Sequence, residues 1–221
     1  MKILVKFPTR ERPGRFYETL KGYIEKAIDL DNIQFQVTYD DNDPRKAQYQ
    51  QIIDLDLINV NFTIGHSTGK INACNRDMEN FTDWDICVLA SDDMICQQVG
   101  WDELIREAMK QHFPDTDGVL YFYDGHQALN TMCILGYRYF KRFNYIYHPD
   151  YISLWADNEF MEVADKLNKQ ARFEDILFEH QCWFNGKEFA HTKDDLQVRE
   201  QKYFDVDKQT FERRKLINFG L

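Results

Sequence analysis

Ser91-Asp92-Asp93 follows an unbroken apolar run, Ile86-Cys87-Val88-Leu89-Ala90. Two adjacent carboxylates straight after a buried strand repel each other. They cost stability unless positive charge sits beside or between them. A hard divalent cation that also meets phosphate oxygens supplies such charge. A turn in which an Asp caps the next segment is the plainer alternative. Other polar clusters close comparable runs: Thr9-Arg10, Asp40-Asp41, Asp124-Gly125 and Glu179-His180. His180 reads first as a satisfied strand-end histidine and second as an imidazole ligand, and His191, near Asp194 and Asp195, is another metal candidate. Lys70 and Arg76 can neutralise phosphate or stand solvated on a helix. Arg10 can bind diphosphate or pair with Glu11 or Asp92.

The elements that must position these groups alternate between strand and helix. Residues 3–7 form an apolar run ending at Pro8, which predicts a buried strand. After Arg12-Pro13-Gly14, the i+4 series Phe16, Leu20, Ile24, Ile28 predicts a core-facing helix. Residues 33–39 read as a strand running into Asp40-Asp41-Asn42-Asp43-Pro44. Helices are expected over 45–58, 70–81, 101–111 and 154–167, the last with Phe160, Val163, Ala164 and Leu167 on one face. Strands are expected over 60–64, 85–90, 118–123 and 173–178, and the polar tail 194–214 reads as helical. Continuous apolar strands fit a mainly parallel sheet covered on both faces, an α/β three-layer sandwich. In such sheets ligands gather beyond the carboxyl ends of the strands, where the polar clusters fall.

Composition bounds the answer. The chain has 221 residues, 43% of them hydrophobic and 15% aromatic, enough for a single domain with a real core. No linker-like stretch or internal repeat divides it. The formal net charge of −10 argues against nucleic-acid or anionic-membrane binding over the whole surface. No apolar run reaches the ~18 residues of a membrane span. A strand at the very start reads as no signal peptide. Five cysteines with no C-x-x-C pair read as reduced, buried thiols in a cytoplasmic protein.

Taken in order, these clusters resemble the GT-A glycosyltransferases, especially the family-two-like inverting enzymes. The resemblance runs from residue 3 to about 195. Pro8-Thr9-Arg10 is similar to the nucleotide-contacting first loop. Tyr39-Asp40-Asp41-Asn42-Asp43 resembles the acidic strand end that holds base and ribose. Gly69-Lys70-Ile71-Asn72-Ala73-Cys74-Asn75-Arg76 resembles the helix before the metal motif. Ser91-Asp92-Asp93 stands where the family has D-x-D. Trp155-Ala156-Asp157-Asn158-Glu159-Phe160 is similar to the helix start that supplies the catalytic base. Phe178-Glu179-His180 resembles the late strand whose histidine completes the metal site.

The resemblance implies a Rossmann-like fold. A nucleotide-sugar half spans about 1–95, an acceptor and metal-completing half about 96–195, and a helical tail about 196–221. It implies a nucleoside diphosphate sugar as donor, UDP by analogy, and Mn²⁺ or Mg²⁺ as cofactor. Asp93 and His180 would hold the metal, and Asp157 would be the general base. Ser91 departs from the family's first Asp, so Asp92 would take over a ribose or sugar contact. Asp124 and Gly125 would meet the sugar, with a plain Asp-Gly turn as the alternative. Asp157 could also act as a helix cap. The leaving diphosphate calls for a Lewis acid, so one metal-holding carboxylate and one base suffice.

The acceptor is less constrained. Residues 137–147 interleave six aromatics with Arg138, Lys141 and Arg142. That mixture can stack bases, stack sugars or form core with a basic edge. The pattern also resembles short bacteriophage-encoded glycosyltransferases, some of which decorate hydroxymethylated pyrimidines in DNA. That would place the enzyme in host cytoplasm. A glycan or small-molecule acceptor is the alternative, and a non-catalytic nucleotide- or nucleic-acid-binding module is a third reading. Nothing in the sequence points to a protein partner.

Overall fold

The computed structural model describes all 221 residues. Nine strands are present: β1 (Ile3–Thr9), β2 (Ile33–Asp40), β3 (Val60–Gly65), β4 (Ile86–Leu89), β5 (Met94–Cys96), β6 (Val119–Phe122), β7 (Ile134–Gly136), β8 (Gln170–Phe173) and β9 (Phe178–His180). The helices are α1 (Pro13–Lys26), α2 (Lys46–Ile53), α3 (Lys70–Asn75), α4 (Trp101–His112), α5 (Tyr137–Phe143), α6 (Ala156–Lys166), α7 (Asp195–Glu200) and α8 (Phe204–Leu216). Seven strands form one sheet in the order β3-β2-β1-β4-β7-β6-β8, and β5 pairs with β9 in a separate ribbon.

β3, β2, β1 and β4 are mutually parallel, and β8 runs parallel to β6. β7 is antiparallel to both β4 and β6. Side chains alternate between two cores as a two-residue period requires. Ile3, Val5, Phe7, Ile86 and Val88 face the core under α1, α2 and α4. Leu4, Cys87 and Leu89 face the core shared with α5, α6 and α8. Burial on both faces is why β1 and β4 read as continuous apolar runs.

Several expected boundaries shift. β1 runs through Pro8 to Thr9, because the β1–β2 register continues to Thr9 opposite Tyr39. Ile28 lies beyond α1 and is exposed, while Tyr23 takes the buried place in the helical stripe. The helix expected over 45–58 stops at Ile53, and that over 70–81 stops at Asn75. The last expected strand is two strands, β8 and β9, separated by residues 174–177. β5 and β7 are three residues each, too short to show a period, and neither was anticipated.

Candidate functional site

β4 ends at Leu89, and the chain turns through Ser91-Asp92-Asp93 into β5. β5 pairs with β9 so that Met94 lies opposite His180. This ribbon brings Asp93 and His180 together from 87 positions apart. His180 Nε2 is 3.8 Å from Asp93 Oδ2, and its Nδ1 is 3.4 Å from Asp124 Oδ2. The Gln181 amide donates to the Asp93 carbonyl at 2.8 Å and fixes the junction. The Ser91 hydroxyl donates to Asp93 Oδ1. The side chains of Asp93, His180 and Cys182 offer ligand atoms all within 4.8 Å of one another.

The charges at this point are strongly coupled. Burial pushes the Asp93 carboxyl up, but His180, Ser91 and Lys70 outweigh it and hold it well below the ordinary range. Burial pushes the His180 ring down, but Asp124, Asp93 and Cys182 outweigh it and push it up to about 11. The protonated ring therefore supplies positive charge between two carboxylates. A divalent ion taking the place of that proton would meet the carboxylate of Asp93 and the imidazole of His180, oxygen and nitrogen donors that first-row divalent ions accept. The carboxylate at Nδ1 would orient the imidazole, the usual outer partner of a ligating histidine.

Asp157 belongs to the same neighbourhood. Its carboxyl is raised above its ordinary value by burial, against the opposing pull of Lys70, the Asn158 amide and His180. It occupies the first turn of α6, whose N-cap position is Trp155, and its Oδ1 accepts from the Asn158 amide at 3.0 Å. Trp155 has φ of 65°, costly for a bulky residue. Its ring is held against Phe211 and Phe204 of the tail. Asp207 of α8 accepts from the amides of Ile152, Ser153 and Leu154, and Arg214 pairs with Glu159 of α6. The tail therefore fixes the loop from which Asp157 projects. Lys70 opens α3 as an exposed residue, and the neighbouring charges of Asp93, Cys74 and Asp157 raise its pKa.

Asp92 and Asp124 differ from expectation. Asp92 turns to the α1 side of the sheet, opposite to Asp93. Its Oδ1 accepts from Arg12 Nη1 at 2.9 Å, and its carbonyl accepts from Arg15 and Thr19. Its carboxylate serves an ion pair with Arg12. Asp124 is 1% exposed. Its Oδ1 accepts from the His126 and Gln127 amides and its Oδ2 from the Thr131 hydroxyl. It holds a turn and backs His180, so the Asp-Gly turn is realised, with Gly125 at φ of 89°.

A second cluster gathers at the ends of β1, β2 and β3. Arg10 donates to Asp40 and to Asn42, and Arg76 Nη1 lies 3.9 Å from Asp40 Oδ1. Arg76 Nη2 donates to the Tyr39 carbonyl. Its Nε lies 3.2 Å from Asp77 Oδ2, and its Nη1 is buried without a hydrogen bond. Gly65 makes room for this guanidinium, since a Cβ there would come within 2.9 Å of Nη1. Asp41 is exposed, 3.6 Å from His66. Asn72 Oδ1 accepts from the Thr68 amide. Thr9 is buried and bonded to the Tyr49 hydroxyl, and Pro8 lies within the sheet, so Arg10 alone of that triplet reaches the strand ends through its side chain.

Of the readings open for the basic and aromatic segment, the structure shows core with a basic edge. Tyr139, Phe140 and Tyr147 are core, while Arg138 and Arg142 pair with Asp115 and Asp117. His191 stands outside the Asp93 cluster, its Nδ1 2.9 Å from the Glu188 carbonyl. A cleft of about 620 Å³ lies on the α1 side, lined by Arg12, Arg15, Gln181, His191 and Asp194 among others. Sequence reading missed Arg12, Cys182 and Asp207. Cys182 stands two residues after His180, but a single thiol carries no spacing signal of its own.

No protein-family model matches the sequence, and no curated protein matches it at a significant level. Solved structures do match. A mannosyltransferase, PcManGT, from Pyrobaculum calidifontis, in complex with GDP-Man and Mn²⁺, has a TM-score of 0.67 at 11% identity, over 82% of this chain and 59% of that one. S. aureus TarS 1-349 in complex with UDP has a TM-score of 0.63 at 15% identity, over 80% of this chain and 59% of that one. Glucosyl-3-phosphoglycerate synthase from Mycobacterium tuberculosis, with Mn²⁺, UDP and phosphoglyceric acid, scores 0.54 at 12% identity, over 77% and 67% of the two chains. The chain thus spans about three-fifths of the length of the first two. No helix is long and apolar enough to cross a membrane. The chain has the GT-A fold that these glycosyltransferases share.

Proposed function

We propose that this protein is an inverting glycosyltransferase that moves a sugar from a nucleoside diphosphate sugar to an acceptor hydroxyl. The observation that carries the reading is the junction of Asp93 and His180 beside the desolvated carboxyl of Asp157. Asp93 and His180 would hold a divalent ion, Mn²⁺ or Mg²⁺. When bound, that ion supplies Lewis-acid charge for the departing diphosphate. Lys70, whose charge is favoured by Asp93 and Asp157, would neutralise the same phosphates. Arg10, Asp40 and Arg76 would receive the nucleoside at the strand ends, where Arg76 Nη1 is buried without a hydrogen bond.

Asp157 would accept the proton of the attacking hydroxyl. Its raised pKa, caused by burial, strengthens it as a base. A single base without a nucleophile implies inversion at the anomeric carbon. The nucleotide is open between UDP, favoured by the family resemblance, and GDP, held by PcManGT. We favour a glycan or small-molecule acceptor. A hydroxymethylated pyrimidine in phage DNA is a second acceptor class, suggested by the resemblance to phage-encoded enzymes, but residues 137–147, which could have stacked bases, pack largely into the core. A non-catalytic module is disfavoured because every proposed metal and base position carries a competent side chain.

The test is turnover. With Mn²⁺ and a panel of UDP- and GDP-sugars, release of nucleoside diphosphate should depend on Asp93 and Asp157. NMR of the product should show an inverted anomeric centre. Clean retention would remove Asp157 as base. Binding that survives Asp93→Asn with no turnover from any donor would leave the non-catalytic module.

A further inference from the structure

Five cysteines are buried, and four of them are accounted for by the cores. Cys74, Cys87 and Cys133 pack in the core beneath α5 and α6, and Cys96 packs in the core beneath α1. Cys182 belongs to neither. It is buried against charge, with Sγ, an imidazole nitrogen of His180 and a carboxylate oxygen of Asp93 mutually within 4.8 Å. A thiol kept only for packing sits among apolar groups, whereas one beside an imidazole and a carboxylate has the surroundings of a ligand.

The backbone around Cys182 is tightly specified. Its amide donates to the His180 carbonyl at 2.9 Å, and the Asn185 amide donates to its own carbonyl at 2.8 Å. Asn185 Nδ2 donates to the His180 carbonyl at 2.7 Å, and Gln127 donates to Asn185 Oδ1 at 3.0 Å. This turn carries Sγ back toward the ring two residues earlier. From the other side, Gln197 Nε2 donates to Sγ at 3.3 Å. Gln197 is itself fixed by the capping box it forms with Asp194. The sulfur is thus oriented from both flanks and points at the Asp93–His180 junction.

We propose that Cys182 is a third protein ligand of this centre, making it a mixed oxygen, nitrogen and sulfur site that selects thiophilic divalent ions such as Zn²⁺, Co²⁺ or Cd²⁺ over Mg²⁺. Imidazole and thiolate donors favour these ions, while Mg²⁺ prefers oxygen alone. On coordination the S–H bond breaks, the sulfur electron pair binds the ion and the proton leaves to solvent. The inference rests on the metal site in the proposed function and adds a ligand and a selectivity to it.

Anaerobic titration of the full chain with Co²⁺, followed by absorption, reads the ligand directly. A near-ultraviolet sulfur-to-cobalt charge-transfer band is expected beside the visible bands. Cys182→Ser should lose the first and keep the second through Asp93 and His180. Mg²⁺ should then displace Co²⁺ at a concentration about 10–100-fold lower than in the unsubstituted chain. The unsubstituted chain suffices if the variant does not fold: Co²⁺ bound with no charge-transfer band overturns the thiolate and leaves the Asp93–His180 site standing. A band that persists in a folded Cys182→Ser chain also overturns it. Absence of any Co²⁺ binding overturns both the thiolate ligand and the metal site beneath it.

Discussion

Arg12 and Asp194, 182 positions apart, form a two-bonded ion pair, Nε to Oδ2 at 2.5 Å and Nη2 to Oδ1 at 2.8 Å. The third guanidinium nitrogen donates to Asp92. One side chain after β1 thus clasps the carboxylate beside Asp93 and the segment that follows β9. Glu11, its neighbour, is paired with Arg199 of α7.

Removing that clasp leaves two carboxylates facing a vacancy, one of them buried. Arg12→Ala should lower stability by about 2–4 kcal/mol, read by chemical denaturation. Nucleotide affinity should fall as well, because Asp93 follows Asp92 directly. A loss below about 0.5 kcal/mol would mean the pair is solvated and of little weight.

Asp157→Asn should reduce kcat/KM by about 10²–10⁴-fold while leaving nucleotide binding in place. The base works only when ionised. Because burial raises its pKa, activity should fall with acidification at a pH above the ordinary carboxylate range. An acid limb unchanged in the variant would assign it to another group.

Asp124→Asn keeps the shape of the turn but removes the charge at His180 Nδ1. Metal affinity should fall about 10–100-fold, measured by calorimetry, with the sheet intact by circular dichroism. Equal affinity in both chains would show that Asp124 serves only its turn.

Asp117 provides a pH test remote from the site. Arg142 lowers its carboxyl by direct hydrogen bonding, burial opposes, and Lys169 assists, leaving it at about 2 against an ordinary 3.8. A carboxylate depressed by folding stabilises above its unfolded pKa, and the gain is lost as pH falls toward the folded value. Its contribution, about 1 kcal/mol after allowance for the half-exposed Arg142, should be full above pH ~5 and vanish toward pH ~2. Unfolding midpoints of wild type and Asp117→Asn should therefore differ at neutral pH and converge in acid.

Much of the frame was legible because burial leaves a simple trace. β1, β2 and β4 are covered on both faces, so their apolar runs announce them. The order of motifs pointed to Asp93, His180 and Asp157 together, and the structure brings Asp93 and His180 within 3.8 Å, a meeting no single residue announces. β7 was not, because three residues inside an aromatic-rich stretch carry no period. Without β5 and β9 the pairing of Met94 with His180 is invisible. The divergence of Asp92 from Asp93 was equally hidden. Adjacency says that both leave the same strand, but the side Asp92 faces is set by Arg12, 80 positions away. For Asp124 the sequence left a sugar contact and a plain Asp-Gly turn both open, because a turn residue and a contact residue have the same sequence.

The central claim is a metal-assisted nucleotide site at Asp93 and His180. Thermal unfolding with a panel of nucleoside diphosphates, with and without Mn²⁺, tests it most directly, since a ligand bound only by the folded chain raises the midpoint. The account predicts a rise with one nucleotide that requires Mn²⁺ and disappears in Asp93→Asn. No rise with any nucleotide, or a rise indifferent to both Mn²⁺ and Asp93, would contradict it.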